Sequence, residues 1–147
     1  MDNALLQELL REMAFMEVSS RGHIIEPFRE DLKQAGFVQS DGIRWKEHGS
    51  WVRSAGTTII IHTPPTKSGK RVMFLTLEDE KGLFDLTVFE HVQRQHAKKI
   101  LANPVLITEG YVNRFGLRGV CIAAKRILTI REFYNGKTVY RNSFLDR

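Results

Sequence analysis

Cysteine is almost absent from this 147-residue chain, with Cys121 the only one. An internal disulfide and a multi-cysteine metal site are thereby excluded, and a reducing, cytoplasmic setting fits. Long apolar runs are missing too. The longest, such as residues 57–61, fall far short of the roughly 20 residues of a membrane-spanning helix. The opening MDNALLQELLREMAF has early acids and no basic start, unlike a secretory signal. No P-loop, nucleophile elbow or kinase signature occurs, and the five histidines lack zinc-ligand spacing. Catalysis, metals and cofactors therefore have no candidate residues, and the chain reads as non-enzymatic. Internal repeats and low-complexity segments are also lacking.

What is present is an ordinary globular composition, 42% hydrophobic and 27% charged, in a chain of single-domain length. The net charge is 22 − 17 = +5, and the isoelectric point is about 9.6. That charge is unevenly spread. Residues 1–50 carry six Lys/Arg and nine Asp/Glu, for 6 − 9 = −3; residues 51–147 carry sixteen and eight, for 16 − 8 = +8. Such asymmetry is a signature of nucleic-acid contact, though a solvated basic surface has the same arithmetic.

The hydrophobic period changes where the charge does. Residues 2–15 place Leu5, Leu6, Leu9, Leu10 and Met13 at helical spacing. Pro27 opens a second helix running to about Ala35, with Gly36 as its stop. Residues 39–50 read as a polar connector carrying Trp45. From Trp51 the period is two. Strands are expected over residues 51–63, with a bulge or bend at Gly56, then over 71–78 and 83–89. A helix over 90–101 comes next, then strands over 105–114 and 120–130. In residues 131–140, Asn135-Gly136 between β-prone flanks signals a hairpin, or else an extended tail. The order strand, strand, strand, helix, strand, strand is that of a five-stranded OB-fold Greek-key barrel. The expected class is mainly β, with a helical segment and connector over 1–48, the barrel over 49–130 and a hairpin or tail over 131–147.

The stretch KRVMFLTLEDEKGL (70–83), continuing into FDLTVF (84–89), resembles the OB domain near the C-terminus of the bacterial DNA polymerase III alpha subunit, particularly its error-prone branch. Upstream, EVSSRGHI (17–24) resembles the LSLSGHPL segment that precedes that domain. The resemblance covers roughly residues 8–128. FLTLED alone is shared with other nucleic-acid-binding OB modules, including anticodon domains of aminoacyl-tRNA synthetases; the order of the SRGH segment, spacer and OB core is more specific. Ile24 stands where the family has proline. Asp85 stands where it often has Asn or Gln, and an acid there repels phosphate but accepts from a base amine. The catalytic domains of such polymerases have no counterpart in this sequence. The chain starts with Met and carries no tag, which favours a freestanding product over a fragment.

An OB barrel binds on strands two and three, flanked by the loop after strand one and the loop between strands four and five. Alternation assigns Met73, Leu75 and Leu77 to the core and Phe74 and Thr76 to the groove, where the resemblance also implies a stacking aromatic. His62 is expected on the groove side with Thr58 and Ile60. Lys67, Lys70 and Arg71 form a candidate phosphate clamp, with Arg53 and Asp85 as further candidates. Arg114, Phe115 and Arg118 combine guanidinium and ring at the far hairpin. His91, His96, Lys98 and Lys99 read as surface. The run Glu78-Asp79-Glu80 reads as turn-forming, since a two-metal site needs carboxylates converging from separate elements. The expected function is single-stranded DNA binding in a polymerase III-type replication or translesion machine at the nucleoid. The alternative is an adaptor that docks a polymerase or repair subunit, a role residues 1–48 could fill, and an RNA- or tRNA-binding role is the third possibility.

Overall fold

The computed structural model describes residues 3–8, 23–64, 67, 69–115 and 119–136. Five strands, β1 (Trp51–His62), β2 (Val72–Asp79), β3 (Gly82–Phe89), β4 (Val105–Phe115) and β5 (Gly119–Leu128), close a barrel in the order β1-β2-β3-β5-β4. A helix, Glu90–Ala102, lies between β3 and β4 in sequence and turns Val92 and Ile100 into the barrel interior. This is the OB topology.

Closure depends on β1 being long enough to serve two neighbours. Its first half pairs with β4, from Trp51 opposite Tyr111 to Thr57 opposite Val105. Its second half pairs with β2, from Thr57 opposite Glu78 to His62 opposite Phe74. Gly56 sits where the two halves meet. A Cβ there would lie 2.9 Å from the Glu78 carbonyl and 3.1 Å from the Phe84 ring. Glycine thus permits close approach, and the bulge expected at that position occurs between Thr58 and Ile60 instead. One extra residue reverses the facing of the strand beyond it. Thr58 pairs with Leu77, a core residue, so it does not share a face with Ile60 and His62 as the simple alternation required.

The barrel interior is filled by alternate residues of each strand, including Met73, Leu75 and Leu77 from β2 and Phe84, Leu86 and Val88 from β3. Residues 39–50 are more than a connector. Ser40–Ile43 form a short helix, and Ile43 joins that interior. The helix is anchored by the buried Asp79, whose carboxylate accepts from the Ser40 amide at 2.7 Å and the Ser40 hydroxyl at 2.6 Å.

A second core lies outside the barrel. Pro27 does open a helical stretch, Glu26–Phe28 running into Arg29–Gln34, and Gly36 ends it at φ +85°. Phe28, Leu32 and Phe37 from this segment pack with Ala55, Val105 and Ile107 on the outer wall of β1 and β4. The expected C-terminal hairpin is a helix, Ile130–Asn135, which completes the layer with Ile130 and Phe133. Thr129 and Glu132 form a capping box, and burial of Ile130 and Phe133 one turn apart decides for the helix; Asn135-Gly136 merely ends it. Phe37 and Phe133 meet edge to face at 5.5 Å, and the Tyr134 hydroxyl donates to Asp31 at 2.7 Å. Residues 3–8 are helical, with Leu6 buried in the same layer. Leu9, Leu10 and Met13, residues 17–22 of the SRGH segment and residues 137–147 lie outside the described residues.

Three consecutive acids join the segment to the barrel. Glu78 lies 3.3 Å from His23. Asp79 holds Ser40 while accepting the Lys81 and Gly82 amides of its own turn. Glu80 accepts from Arg29 Nε and from one of its terminal nitrogens, each at 2.7 Å. Burial works to raise the Glu80 carboxyl, but the Arg29 hydrogen bonds and charge hold it below the ordinary value.

Candidate nucleic-acid interface

The outer wall of β2 and β3 carries no helix among the described residues, and its side chains are set by register. His62, Phe74 and Thr87 are cross-strand neighbours in one row; Ile60, Thr76 and Asp85 form the next. Phe74 is 42% exposed although it sits mid-strand between buried Met73 and Leu75. An apolar ring of this size, held open by the alternation that buries its neighbours, offers a flat surface to a planar ligand. The Thr76 hydroxyl donates to Asp85 at 2.8 Å, which fixes the carboxylate and leaves it acceptor capacity on the open face.

At one end of this wall the chain before β2 supplies Lys67, Lys70 and Arg71, all exposed. Lys70 and Arg71 border a pocket of about 360 Å³ shared with Val72, Phe89, Glu90, His91 and Arg94. Sequence reasoning misses Phe89 and Arg94 here. Phe89 has a legible signal, because it continues the outward alternation of Asp85 and Thr87. His91 lies at the pocket edge. His96 and Lys99 are not plain surface residues. Burial and the neighbouring Lys99 push the His96 imidazole below its ordinary value. Lys99 donates to the Ile127 carbonyl at 3.0 Å and pairs with Glu132 at 2.8 Å, tying the capping helix to the C-terminal one.

Two sequence candidates are engaged elsewhere. Arg53 points to the covered wall, donates to the Ala35 carbonyl at 3.0 Å and lies 3.9 Å from Glu109. Arg114 donates its Nε to the Lys46 carbonyl at 2.6 Å and a terminal nitrogen to the Arg44 carbonyl, while its amide donates to the His48 ring. It clasps the connector. Phe115 is exposed and its ring lies over Gly119. Arg118 is outside the described residues. The structure therefore brings His62, Phe74, Thr76 and Asp85 together on one wall, with Lys67, Lys70 and Arg71 at its end. Arg53 and Arg114 belong to the scaffold. Among the described residues no cluster of three or more His, Cys, Asp or Glu is arranged to hold a metal ion.

No family model matches the chain. Over 117 residues it is 37% identical to the error-prone DNA polymerase of Symbiobacterium thermophilum, a match spanning 78% of this chain and 11% of that protein. Over 124 residues it is 31% identical to the error-prone DNA polymerase of Pseudomonas paraeruginosa, spanning 84% and 12%. The chain thus spans about a tenth of the length of the curated relatives it matches. Among solved structures, asparaginyl-tRNA synthetase from Pyrococcus horikoshii superposes with a TM-score of 0.51 at 20% identity, over 64% of this chain and 23% of that one. This last likeness concerns the fold alone.

Proposed function

Homology to one segment of the error-prone DNA polymerases is the premise from which we propose that this chain is a nucleic-acid-binding OB module, non-enzymatic in itself, that holds single-stranded DNA for a polymerase III-type replication or translesion machine at the nucleoid. One observation carries the reading: the exposed Phe74 on the uncovered wall beside Lys67, Lys70 and Arg71, in the part of the chain with the whole basic excess. The bases stack on the ring, because every base has a π face, and the cations track the phosphates. Asp85 keeps phosphate off the wall itself and accepts from a base amine. Such a groove binds with little sequence choice.

A salt titration with single-stranded DNA, duplex DNA and RNA tests this. Neutralising about four phosphates gives a slope of log K against log salt near −3 for single strands. A flat response, or tighter binding to duplex, overturns the proposal; tighter binding to RNA moves it to the RNA-binding alternative. Docking of a polymerase or repair subunit through residues 1–48 finds less support. The described part of that segment turns Phe28, Leu32 and Phe37 onto the barrel rather than outward.

A further inference from the structure

The register of the barrel links Phe74 to a second pair of rings. Phe74 on β2 is opposite Thr87 on β3, Thr87 is beside Ala123 on β5, Ala123 is opposite Tyr111 on β4, and Tyr111 is opposite Trp51 on β1. Directly paired residues face the same side of a sheet, so these five form one row around the outer surface. The middle of the row is low. Thr87 and the adjacent Cys121, 3.5 Å from its hydroxyl, are small side chains and both are buried. The ends are high. Phe74 stands at one, and Tyr111 and Trp51 stand at the other, 45% and 44% exposed. Their ring centroids are 4.9 Å apart at 75°, so each ring fixes the other.

This exposure differs from that of a stray surface aromatic. Further along the same β1–β4 pairing, Ala55 and Ile107 lie under the helical layer. Trp51 and Tyr111 continue that wall beyond the cover, joined through the low saddle to the open face that carries Phe74. Lys125 is exposed on β5 just past Ala123, so a cationic side chain occurs at this end as well, while the neighbouring Arg126 lies 3.9 Å from Glu109. From β2 to β4 the row crosses three strand spacings of the closed barrel, about 14 Å at the backbone and more over the outward side chains, a path of several nucleotides around an OB wall.

We propose that Trp51 and Tyr111 form a second base-stacking platform, and that a single nucleic-acid strand crosses the barrel from Phe74, over Thr87 and Ala123, to this pair. The inference rests on the single-strand reading of the open wall and specifies its path. Trp45 is the only other tryptophan and is 81% exposed on the connector, so Trp45→Phe leaves Trp51 as the sole indole reporter. Titrating that protein with a dodecamer of thymidylate is expected to quench Trp51 emission in step with binding. Tyr111→Ala is expected to weaken the same dodecamer roughly five- to hundredfold, the worth of one stacked base. Tyr111→Phe, which keeps the ring, is expected to bind as wild type, and this separates stacking from any loss of fold. If the dodecamer binds and Phe74→Ala weakens it, while Trp51 emission and Tyr111→Ala affinity are unchanged, the second platform is refuted and the single-strand reading stands. If wild type fails to bind the dodecamer, both fall together.

Discussion

The outer wall of β1 and β4 and the outer wall of β2 and β3 obey one alternation and meet different ends. On the first, Ala55, Val105 and Ile107 receive Phe28, Leu32, Phe37, Ile130 and Phe133 from the segments before and after the barrel. On the second, Ile60, Phe74 and Phe89 remain open to solvent. Polar residues differ in the same sense. On the covered wall, Arg53 and Glu109 have partners from the protein itself. On the open wall, Lys67 and Arg71 extend from an exposed loop. Among the described residues no helix covers this second wall, and an exposed apolar patch of this kind is where the proposed binding is to be tested. The barrel interior is complete without Phe74, so the ring is not needed for the core.

The largest expected effect compares two phenylalanines across this divide. Phe133→Ala removes a fully buried ring and is expected to cost about 3–5 kcal/mol in urea unfolding. Phe74→Ala is expected to cost less than about 1 kcal/mol on the same measurement, and to weaken single-strand binding by about 1–3 kcal/mol. Equal stability losses at the two positions would erase the distinction between the walls. Next comes the Arg29–Glu80 clasp. Its side chains are mostly buried, and Arg29→Ala is expected to destabilise by about 1–3 kcal/mol. The Glu80 carboxyl is held below its ordinary value of 4.5. The clasp therefore stabilises fully above that value and fades as pH falls through it towards the lower folded-state value. The acid loss of wild-type stability over that window should shrink in Arg29→Ala. An undiminished loss would place the acid sensitivity elsewhere. The smallest effect is Lys67→Ala, which should leave stability unchanged and make the salt slope shallower by about 0.7. An unchanged slope would remove Lys67 from the path.

Most of the barrel is legible in the sequence because strands with one buried face repeat every two residues. The ends of β2, β3 and the capping helix fall within a residue or two of expectation, and parity alone places Phe74 outward. Parity fails at Thr58 because no side chain announces the bulge at Ile59. The helix at Ile130–Asn135 has a readable cap in Thr129-x-x-Glu132, but Asn135-Gly136 is a stronger local signal taken by itself. Only burial of Phe133 against Phe37 resolves that conflict. Ile43 looks incidental in a polar stretch because its anchor, Asp79, is remote in sequence. Arg53 and Arg114 pass for groove cations in the sequence because composition shows charge and not the carbonyls that capture it. Tyr111 is within reach of the alternation Tyr111, Asn113, Phe115 on β4, which leaves Val112 inward.

The central claim is that the uncovered wall, and not the helix-covered one, meets single-stranded DNA. An NMR map of backbone amide shifts on adding a thymidylate oligonucleotide tests it most directly. The account predicts perturbations along Val72–Phe89 and around Lys67–Arg71, with Ile130–Asn135 and Arg29–Gln34 unmoved. Perturbations centred on those two helices, with β2 and β3 silent, would contradict it.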